Sequence, residues 1–434
     1  MTLESLKNAA VHSTLDSRGV TARLDSAIIA TIFVAVAMPL THIDILRTGP
    51  LLLTVGDFPY IFVTGLLLLR IVVSGKVRFA GLAAFTASIV FLYTVASLGI
   101  GGAAFVDIFH QLRFYWPFAI ALLTLMADVR TDYHRFVKYA YWAGIISAGS
   151  ALLMQYYLTD YLDRIYADSP ETLRAIASGR MVWDNEGIVL FLLLFFVMQD
   201  KDLCVSRLLG ASAVVLGIAA SFSTQTRTIM AGNFLIIGCA PFVLRRRHNA
   251  THQIRKLLIV IILMLLSIGT VVVTSNRVRA LATRRYLATD RSTLLQRYQT
   301  TMDTVLRVML YQQYWKSLSD HFPLGQGLGQ PYSEFRQMPI WVVDISPLAF
   351  ALPFGMCGIA IYGWFILALW QTATNNRNAL QLDRARAVKL LIVISLLVSL
   401  NEDLYSRNIF VILLTMLVLC KDRCNGSSVG YCAV

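Results

Sequence analysis

Long apolar runs recur along this chain, and they constrain its fold more than any other feature. Most of them approach the roughly 17–25 residues that a helix needs to cross a bilayer. A backbone in lipid must satisfy its own hydrogen bonds, and these continuous runs favour helices over alternating strands. We therefore expect an all-α integral membrane protein with about twelve transmembrane helices. The runs lie near residues 26–42, 56–74, 80–98, 112–127, 136–157, 186–199, 208–222, 228–244, 257–274, 343–371, 387–400 and 408–420.

The charges of the chain indicate how these helices are oriented. Hydrophobic residues make up 57% of the sequence and charged residues only 15%, against about 25% charged in soluble domains. A net charge of +13 would suggest a nucleic-acid partner in a soluble protein. Here the cations concentrate in alternate loops, as the positive-inside rule requires, so the expected partner is the bilayer and not nucleic acid. Such basic loops include "VSGKVRF", "ADVRTDYHRFVK" and "LRRRHNATHQIRK".

The loop charges predict cytoplasmic termini and five regions. The polar N-terminal segment lacks the apolar core and cleavage site of a signal peptide, so we expect it to be retained. A re-entrant pair around 43–55 would change the number of spans. No cysteine falls in a segment placed outside, so no disulfide framework is expected. The regions are a cytoplasmic tail (1–25), a transmembrane bundle of about nine helices (26–274), a large outer loop (275–342), C-terminal transmembrane helices (343–420) and a second cytoplasmic tail (421–434).

The outer loop breaks the charge rule, because it carries eight arginines and one lysine against four acids. Long loops can cross a membrane regardless of charge, so a merely solvated face is one interpretation. Arginine, however, grips phosphate oxygens with two parallel donors, which favours phosphate binding. The cations are Arg277, Arg279, Arg284, Arg285, Arg291, Arg297, Arg307, Lys316 and Arg336.

A helix followed by a glycine turn is predicted inside this loop. Apolar residues recur at helical spacing from Met302 to Leu318, which indicates an amphipathic helix on the membrane or against the bundle. The sequence "DHFPLGQGLG" follows, and Pro323 is expected to end the helix. Gly325, Gly327 and Gly329 allow a positive φ or a close backbone approach.

Three sequence pieces between residues 180 and 360 combine arginines with glycine turns or span starts. The first is an arginine and an aromatic before the glycine turn, then a G-x-x-G turn in the next span. The other two are "SFSTQTRTIMAG" and "SGRMVWDNEGIVLF". The residues concerned are Arg307, Tyr311, Gly355 and Gly358 in the first piece, Arg227 in the second, and Arg180 and Asn185 in the third. In their order and spacing these pieces resemble the O-antigen ligase and polymerase superfamily, membrane glycosyltransferases that act on undecaprenyl-diphosphate-linked sugars at the outer face.

The resemblance implies a GT-C-like bundle with a large periplasmic loop, in the bacterial inner membrane. Preorganised guanidinium groups can stabilise a diphosphate leaving group, and we expect this role for Arg180, Arg227, Arg297 and Arg307. Snorkelling to headgroups is the alternative for each arginine. No D-x-D pair lies in an outer loop, so the expected reaction needs neither a metal nor another cofactor.

The chain departs from the superfamily's pattern at the position of the general base. Ligases of this superfamily carry His-Asn eleven residues before the G-x-x-G turn, where this chain has Asp344. A carboxylate can accept a proton from a sugar hydroxyl, so Asp344 is either the base or a cap for the following helix. His321 is the one histidine of the large loop, and it either acts directly or only ends a helix.

Three functions are compatible with this pattern. The first is a polysaccharide polymerase of the Wzy type, which moves a glycan from its lipid diphosphate to a lipid-linked repeat unit. A chain-length regulator would then be a possible partner protein. The second is an O-antigen ligase, which transfers the same donor to lipid A-core. The third is a flippase or transporter, although no internal repeat is visible and the spans carry little charge.

Cysteine labelling tests the predicted orientation. In a background without the native cysteines, an impermeant maleimide should label Ser292→Cys and Gln330→Cys in intact cells, because both positions lie in the outer loop. It should label Asn249→Cys and Asn376→Cys only after the membrane is opened. The reverse pattern would place the arginine-rich loop in the cytoplasm.

Overall fold

The chain folds mainly into helices in a computed structural model. The described residues are 3–38, 44–48, 51–54, 57–157, 185–198, 206–224, 227–243, 262, 311–329, 333–335, 338–340, 345–376, 382–400, 404–405 and 408–421. The helices are α1 (Leu3–Ala37), α2 (Asp57–Ser74), α3 (Ala80–Gly99), α4 (Phe105–Arg113), α5 (Trp116–Ala127), α6 (Tyr133–Tyr157), α7 (Ile188–Met198), α8 (Arg207–Thr224), α9 (Arg227–Val243), α10 (Ser346–Asn375), α11 (Leu382–Ser399) and α12 (Phe410–Leu419). Residues 311–321 are also helical, and we call them the loop helix.

Several helices have the length and composition of membrane spans. Within the described residues, Gly19–Ala37, Asp57–Ser74, Ala80–Gly99 and Ser346–Asn375 are long and apolar enough to cross a bilayer. Five shorter apolar helices accompany them. The prediction of a helical membrane protein is confirmed at this level, with four such helices described rather than about twelve.

Two short hairpins interrupt the helices. Strands β1 (Asp44–Thr48) and β2 (Leu51–Thr54) pair antiparallel. They occupy the segment around 43–55 where the sequence left a re-entrant pair open, and extended strands replace helices there. Strands β3 (Ser333–Phe335) and β4 (Met338–Ile340) form the second hairpin, within the predicted outer loop.

The buried core runs between helices that pack at close range. A Cβ added to Gly144 of α6 would lie 2.7 Å from Leu192 Cδ1 of α7, so glycine permits this crossing. A Cβ on Gly232 of α9 would lie 2.8 Å from Val398 Cγ2 of α11 and 3.0 Å from Leu190 Cδ2 of α7. Small residues at such crossings let helix backbones approach, which is how helices associate where lipid removes the hydrophobic driving force.

One end of the bundle collects ion pairs, and we call it the charged end. Arg70 of α2 donates from Nε to Asp25 of α1 at 2.6 Å. The connection between α2 and α3 meets the connection between α5 and α6 through Arg78 Nη1 and Asp128 Oδ1, at 2.8 Å. The chain after α12 joins the same group, since Lys421 N donates to the Thr131 carbonyl at 2.9 Å.

The opposite end of the bundle holds the glycine turn, and we call it the turn end. Helix α3 has 20 residues and is therefore about 30 Å long, with Arg78 just before its start. Ser97 in its last turn lies at the opposite end and contacts the glycine turn, because its Oγ accepts from Leu328 N at 2.8 Å. A two-pronged ion pair joins Arg113 of α4 to Asp57 of α2 at this end, with Nε to Oδ1 at 2.9 Å.

Candidate active site at the turn end

The glycine turn has the backbone that its sequence predicts. The loop helix ends at His321, two residues before Pro323. Gly325, Gly327 and Gly329 then have φ values of 81°, 89° and 75°. These left-handed conformations cost little for glycine and strain other residues. The predicted helix stop and the predicted positive φ angles are both confirmed.

The turn is inserted into a break in α10. Gly355 has φ 56° and ψ −136°, and Pro353 precedes it inside the helix. Gln326 N donates to the Leu352 carbonyl at 2.7 Å, and Gly327 N donates to the Pro353 carbonyl at 3.1 Å. In return, Met356 N donates to the Pro323 carbonyl at 2.9 Å. The turn therefore takes over hydrogen bonds that a continuous helix would make internally.

Glycine is required on both sides of this contact. A Cβ added to Gly355 would lie 2.0 Å from the Pro323 carbonyl oxygen. A Cβ added to Gly325 would lie 2.4 Å from Gly355 N, and one on Gly358 would lie 1.9 Å from the Phe350 carbonyl oxygen. A side chain at Gly325 or Gly355 would push the turn and α10 apart, whereas one at Gly358 would clash within α10. The "PLGQGLG" and "PFGMCG" sequences are thus two halves of one joint.

Two tyrosine hydroxyls complete the hydrogen bonds at the break. Pro353 has no N–H, so it cannot serve the Ala349 carbonyl one turn earlier. The Tyr115 hydroxyl donates to that carbonyl instead. The Tyr93 hydroxyl lies within hydrogen-bond reach of the Leu324 carbonyl and of the Phe354 carbonyl, the latter at 3.2 Å. Polar backbone in an apolar setting is costly unless it is paired, and here protein donors pair it.

Side chains of α3 and α4 hold the far end of the turn. Ser97 Oγ accepts from Leu328 N at 2.8 Å, and Gln111 Oε1 accepts from Gly329 N at 2.7 Å. Both side chains are buried. Sequence reasoning missed them, together with Tyr93 and Tyr115. The available signal was weak, because Tyr93 and Ser97 are only two of several polar residues in the run 80–98.

The loop helix packs its apolar face on the first turns of α10. Tyr314 is buried against Leu348 and Leu352, with Tyr311 and Leu318 at the edge of the cluster. The predicted amphipathic helix therefore lies against the bundle over residues 311–321. The part before Tyr311 lies outside the described residues.

His321 occupies the last position of the loop helix and is exposed. Its Nδ1 lies 2.8 Å from the Ser317 carbonyl oxygen. A carbonyl oxygen only accepts, so Nδ1 carries the proton in this contact and Nε2 of the neutral ring remains an acceptor. This geometry is compatible with both predicted roles of His321, as the end of a helix and as a proton acceptor.

The start of α10 is anchored by the segment that precedes α12. The buried Ser346 Oγ accepts from Leu404 N at 3.2 Å and from Tyr405 N at 3.3 Å. The Tyr405 hydroxyl is 2.6 Å from Ser395 Oγ. Burial, followed by the neighbouring Tyr362 hydroxyl, raises the pKa of Tyr405, so this phenol stays neutral and acts as a structural hydrogen-bond partner.

Asp344 lies outside the described residues, so its two predicted roles, as base and as helix cap, both stay predictions. The residue that follows it, Ile345, occupies the N-cap position of α10 in extended backbone geometry.

Two other candidate site residues, Arg227 and Asn185, lie at the turn end of the bundle. Arg227 is the first residue of α9, five residues before Gly232, which packs near Leu190 at the start of α7. Asn185 precedes α7, is buried, and donates from Nδ2 to the Val36 carbonyl near the end of α1 at 2.9 Å. That bond gives Asn185 a structural contact that the sequence did not predict.

The described candidates therefore converge on the turn end: the start of Arg227's helix, His321 and the three turn glycines. Arg180, Arg297, Arg307 and Asp344 lie outside the described residues. Within the described part of the chain, no group of three or more His, Cys, Asp or Glu side chains could ligate one metal ion.

Comparisons with known proteins add no family assignment. No protein-family model matches this sequence, and no curated protein matches it either. The functional inference therefore depends on the geometry of the turn end and on the order of the motifs.

Gly355→Ala should disrupt the joint between the turn and α10. The added Cβ would collide with the Pro323 carbonyl oxygen, and the alanine would have to adopt a positive φ. We expect a loss of about 2–5 kcal/mol of stability, measured as a lower thermal transition in detergent.

Gly363→Ala in the same helix is the matched control, because its added Cβ would meet no heavy atom within 4 Å. This variant should match the wild type or be slightly more stable, since alanine favours helix. Equal stability of both variants would show that the joint does not form.

Proposed function

We propose that this chain is a membrane polysaccharide polymerase. It would transfer a glycan from undecaprenyl diphosphate to a lipid-linked repeat unit at the outer face of the bacterial inner membrane. Both termini would lie in the cytoplasm, about twelve helices would span the membrane, and residues 275–342 would form the periplasmic loop. The product would be O-antigen, capsule or exopolysaccharide, and a chain-length regulator is the expected protein partner.

One observation carries the proposal: the glycine turn and the G-x-x-G segment form a single joint. The sequence alone related these two pieces only by order and spacing. In the fold, Gln326 N and Gly327 N donate into the break of α10 at 2.7 Å and 3.1 Å. Two motif pieces that make a shared structural element are better support for a resemblance than two unconnected matches.

The joint also gives the loop helix a defined position. Ser317 Oγ donates to Gln326 Oε1 at 2.6 Å, which ties the helix to the turn, and Tyr314 packs on α10. Arg307 precedes this anchored helix by four residues in sequence. We propose that it belongs to the diphosphate site, where preorganised donors stabilise the charge that develops on the leaving group.

The proposed reaction is a substitution at the anomeric carbon of the donor glycan. A hydroxyl oxygen of the acceptor sugar forms the new bond, and the bond to the diphosphate oxygen breaks. Asp344 takes the hydroxyl proton, and undecaprenyl diphosphate leaves with the bonding electron pair. Arg180, Arg227, Arg297 and Arg307 stabilise the negative charge that grows on the leaving group.

The choice between polymerase and ligase follows from Asp344. The superfamily's ligases carry His-Asn at this place, and the carboxylate here departs from that pattern. We therefore favour a lipid-linked repeat unit as acceptor over lipid A-core.

Transport is the second candidate, and the broken helix α10 is the observation that favours it. Transporters often bind ions at the unwound backbone of such helices. Here the carbonyls of Ala349, Leu352 and Pro353 accept hydrogen bonds from protein donors. Carbonyls with protein donors are poorly placed to ligate an ion, which favours a structural joint.

Glycan lengthening in detergent tests the proposed function. The purified chain should extend lipid-linked repeat units extracted from host cells that lack this protein, with EDTA present and without a membrane gradient. Arginines rather than a divalent ion would hold the diphosphate. Products are resolved by gel electrophoresis after mild acid release. Lengthening that requires a sealed vesicle and a gradient would support transport instead.

Arginine variants provide the control for this assay. Arg227→Ala and Arg307→Ala should abolish lengthening at normal protein levels, while lysine restores only part of it, since a point charge lacks the two-donor fork. Arg207→Ala changes an exposed arginine at the start of α8 and should remain active. Full activity of either alanine variant would remove that residue from the diphosphate site.

Asp344→Asn separates a base from a cap. Asparagine keeps the shape and the capping ability of aspartate but loses its basicity. If Asp344 is the base, turnover should fall by roughly 100-fold or more while lipid-linked substrate still binds. A normal rate for Asp344→Asn together with a defective Asp344→Ala would show that the side chain only caps.

A further inference from the structure

A cluster of cations surrounds one carboxylate at the charged end of the bundle. Arg78 Nη1 donates to Asp128 Oδ1 at 2.8 Å, and Arg130 Nε donates to Asp128 Oδ2 at 2.7 Å. Lys421 is the third cation of this group, brought there by the chain that follows α12. We call Arg78, Asp128, Arg130 and Lys421 the basic cluster.

The basic cluster is held in place by backbone contacts. Asp128 caps the end of α5 in a left-handed conformation, with φ 49°. Arg130 N donates to Asp25 Oδ2 at 3.5 Å, at the edge of hydrogen-bond range. Lys421 N donates to the Thr131 carbonyl, and Tyr133 N donates to the Lys421 carbonyl, both at 2.9 Å. Three chain segments distant in sequence are therefore fastened together here.

The charges in the cluster do not balance. Arg78 and Arg130 share the Asp128 carboxylate, and the Lys421 ammonium lies within the electrostatic field of all three. The four groups carry a formal charge of +2, which the neighbouring Asp132 carboxylate, bridged to Lys421 through the backbone, reduces to +1. The adjacent pair of Asp25 and Arg70 is neutral in itself, so it does not compensate. Burial, followed by the Coulomb field of Arg130, lowers the pKa of Lys421, as expected for a cation held near other cations.

The cluster is open to a ligand. The side chains of Arg78 and Arg130 are 38% and 45% exposed. Arg78 commits one guanidinium nitrogen to Asp128 and Arg130 commits two, within the contacts of the described residues. Each guanidinium group thus keeps N–H donors that are not bonded to the carboxylate. Neighbouring guanidinium groups with an ammonium group nearby suit the oxygens of a phosphate.

We propose that the basic cluster binds a phosphate group at the membrane surface. The group would come from an anionic phospholipid headgroup or from a free phosphate, and both offer the same oxygens to Arg78, Arg130 and Lys421. Bound phosphate would offset the surplus charge and would brace the loops that join α2 to α3 and α5 to α6. Because α3 also carries Ser97 to the glycine turn, occupancy would stabilise the helix that connects both ends.

A titration of the purified full chain in a neutral detergent tests this site. Phosphatidylglycerol should raise the thermal transition, whereas phosphatidylcholine with the same acyl chains should not. Lys421→Gln should weaken the apparent affinity for phosphatidylglycerol about fivefold, as expected for one basic residue at an anionic surface. The fold should survive this change, since Lys421 bonds to Thr131 and Tyr133 through its backbone.

Two further variants make the result decisive. Arg78→Gln leaves Asp128 paired with Arg130 and should weaken binding similarly. Lys76→Gln removes the same charge from an exposed lysine two residues away and should bind within twofold of the wild type. Equal binding by wild type, Lys421→Gln and Arg78→Gln, or an equal loss in Lys76→Gln, would overturn the proposal.

Inorganic phosphate distinguishes the two sources. Stabilisation of the wild type by millimolar phosphate, lost in Lys421→Gln, would show that free phosphate fills the site. Stabilisation by phosphatidylglycerol alone would identify a lipid headgroup. Neither outcome depends on glycosyltransferase activity, so the site and the proposed function can fail separately.

Discussion

The exchange of backbone hydrogen bonds between the glycine turn and the broken helix α10 organises the turn end of this protein. Pro353 and Gly355 interrupt the helix, and the interruption would leave polar backbone groups unpaired in an apolar setting. Gln326 N and Gly327 N replace the missing donors, and the Pro323 carbonyl accepts in return. Because the turn and the broken helix satisfy each other's backbone hydrogen bonds, the loop helix and α10 are positioned as one unit.

Side chains of neighbouring helices complete the hydrogen bonds of the turn and of the broken helix α10. Tyr115 serves the carbonyl that Pro353 cannot, and Ser97 and Gln111 hold the far end of the turn. Helix α3 therefore links the turn end to the charged end, where Arg78 precedes it. Polar side chains at the two ends and apolar side chains between them match the two surfaces and the interior of a bilayer. The candidate chemistry and the basic cluster thus lie on opposite faces of one framework.

Much of the fold was predictable because membrane helices carry a strong local signal. The predicted runs 56–74 and 80–98 correspond to α2 and α3 within one residue, and Pro323 and the three glycines behave as predicted. The hairpin of β1 and β2 was not predictable, because a short apolar segment is compatible with either strand or helix. The start of α1 was also not predicted: the apolar run begins at residue 26, but the helix begins at Leu3 because polar residues extend it.

The sequence by itself determined the helical membrane class, the glycine turn and the order of the motifs, since each of these follows from the chemistry of a few adjacent residues. Only the tertiary structure decided that Gly325 meets Gly355 and that Tyr93, Ser97 and Gln111 bond to the turn. It also decided that the backbone of Lys421 pairs with the connection between α5 and α6. These contacts join residues separated by tens to hundreds of positions. The side chains involved are ordinary tyrosines, serines and glutamines, and composition cannot indicate which unpaired backbone group each one must satisfy.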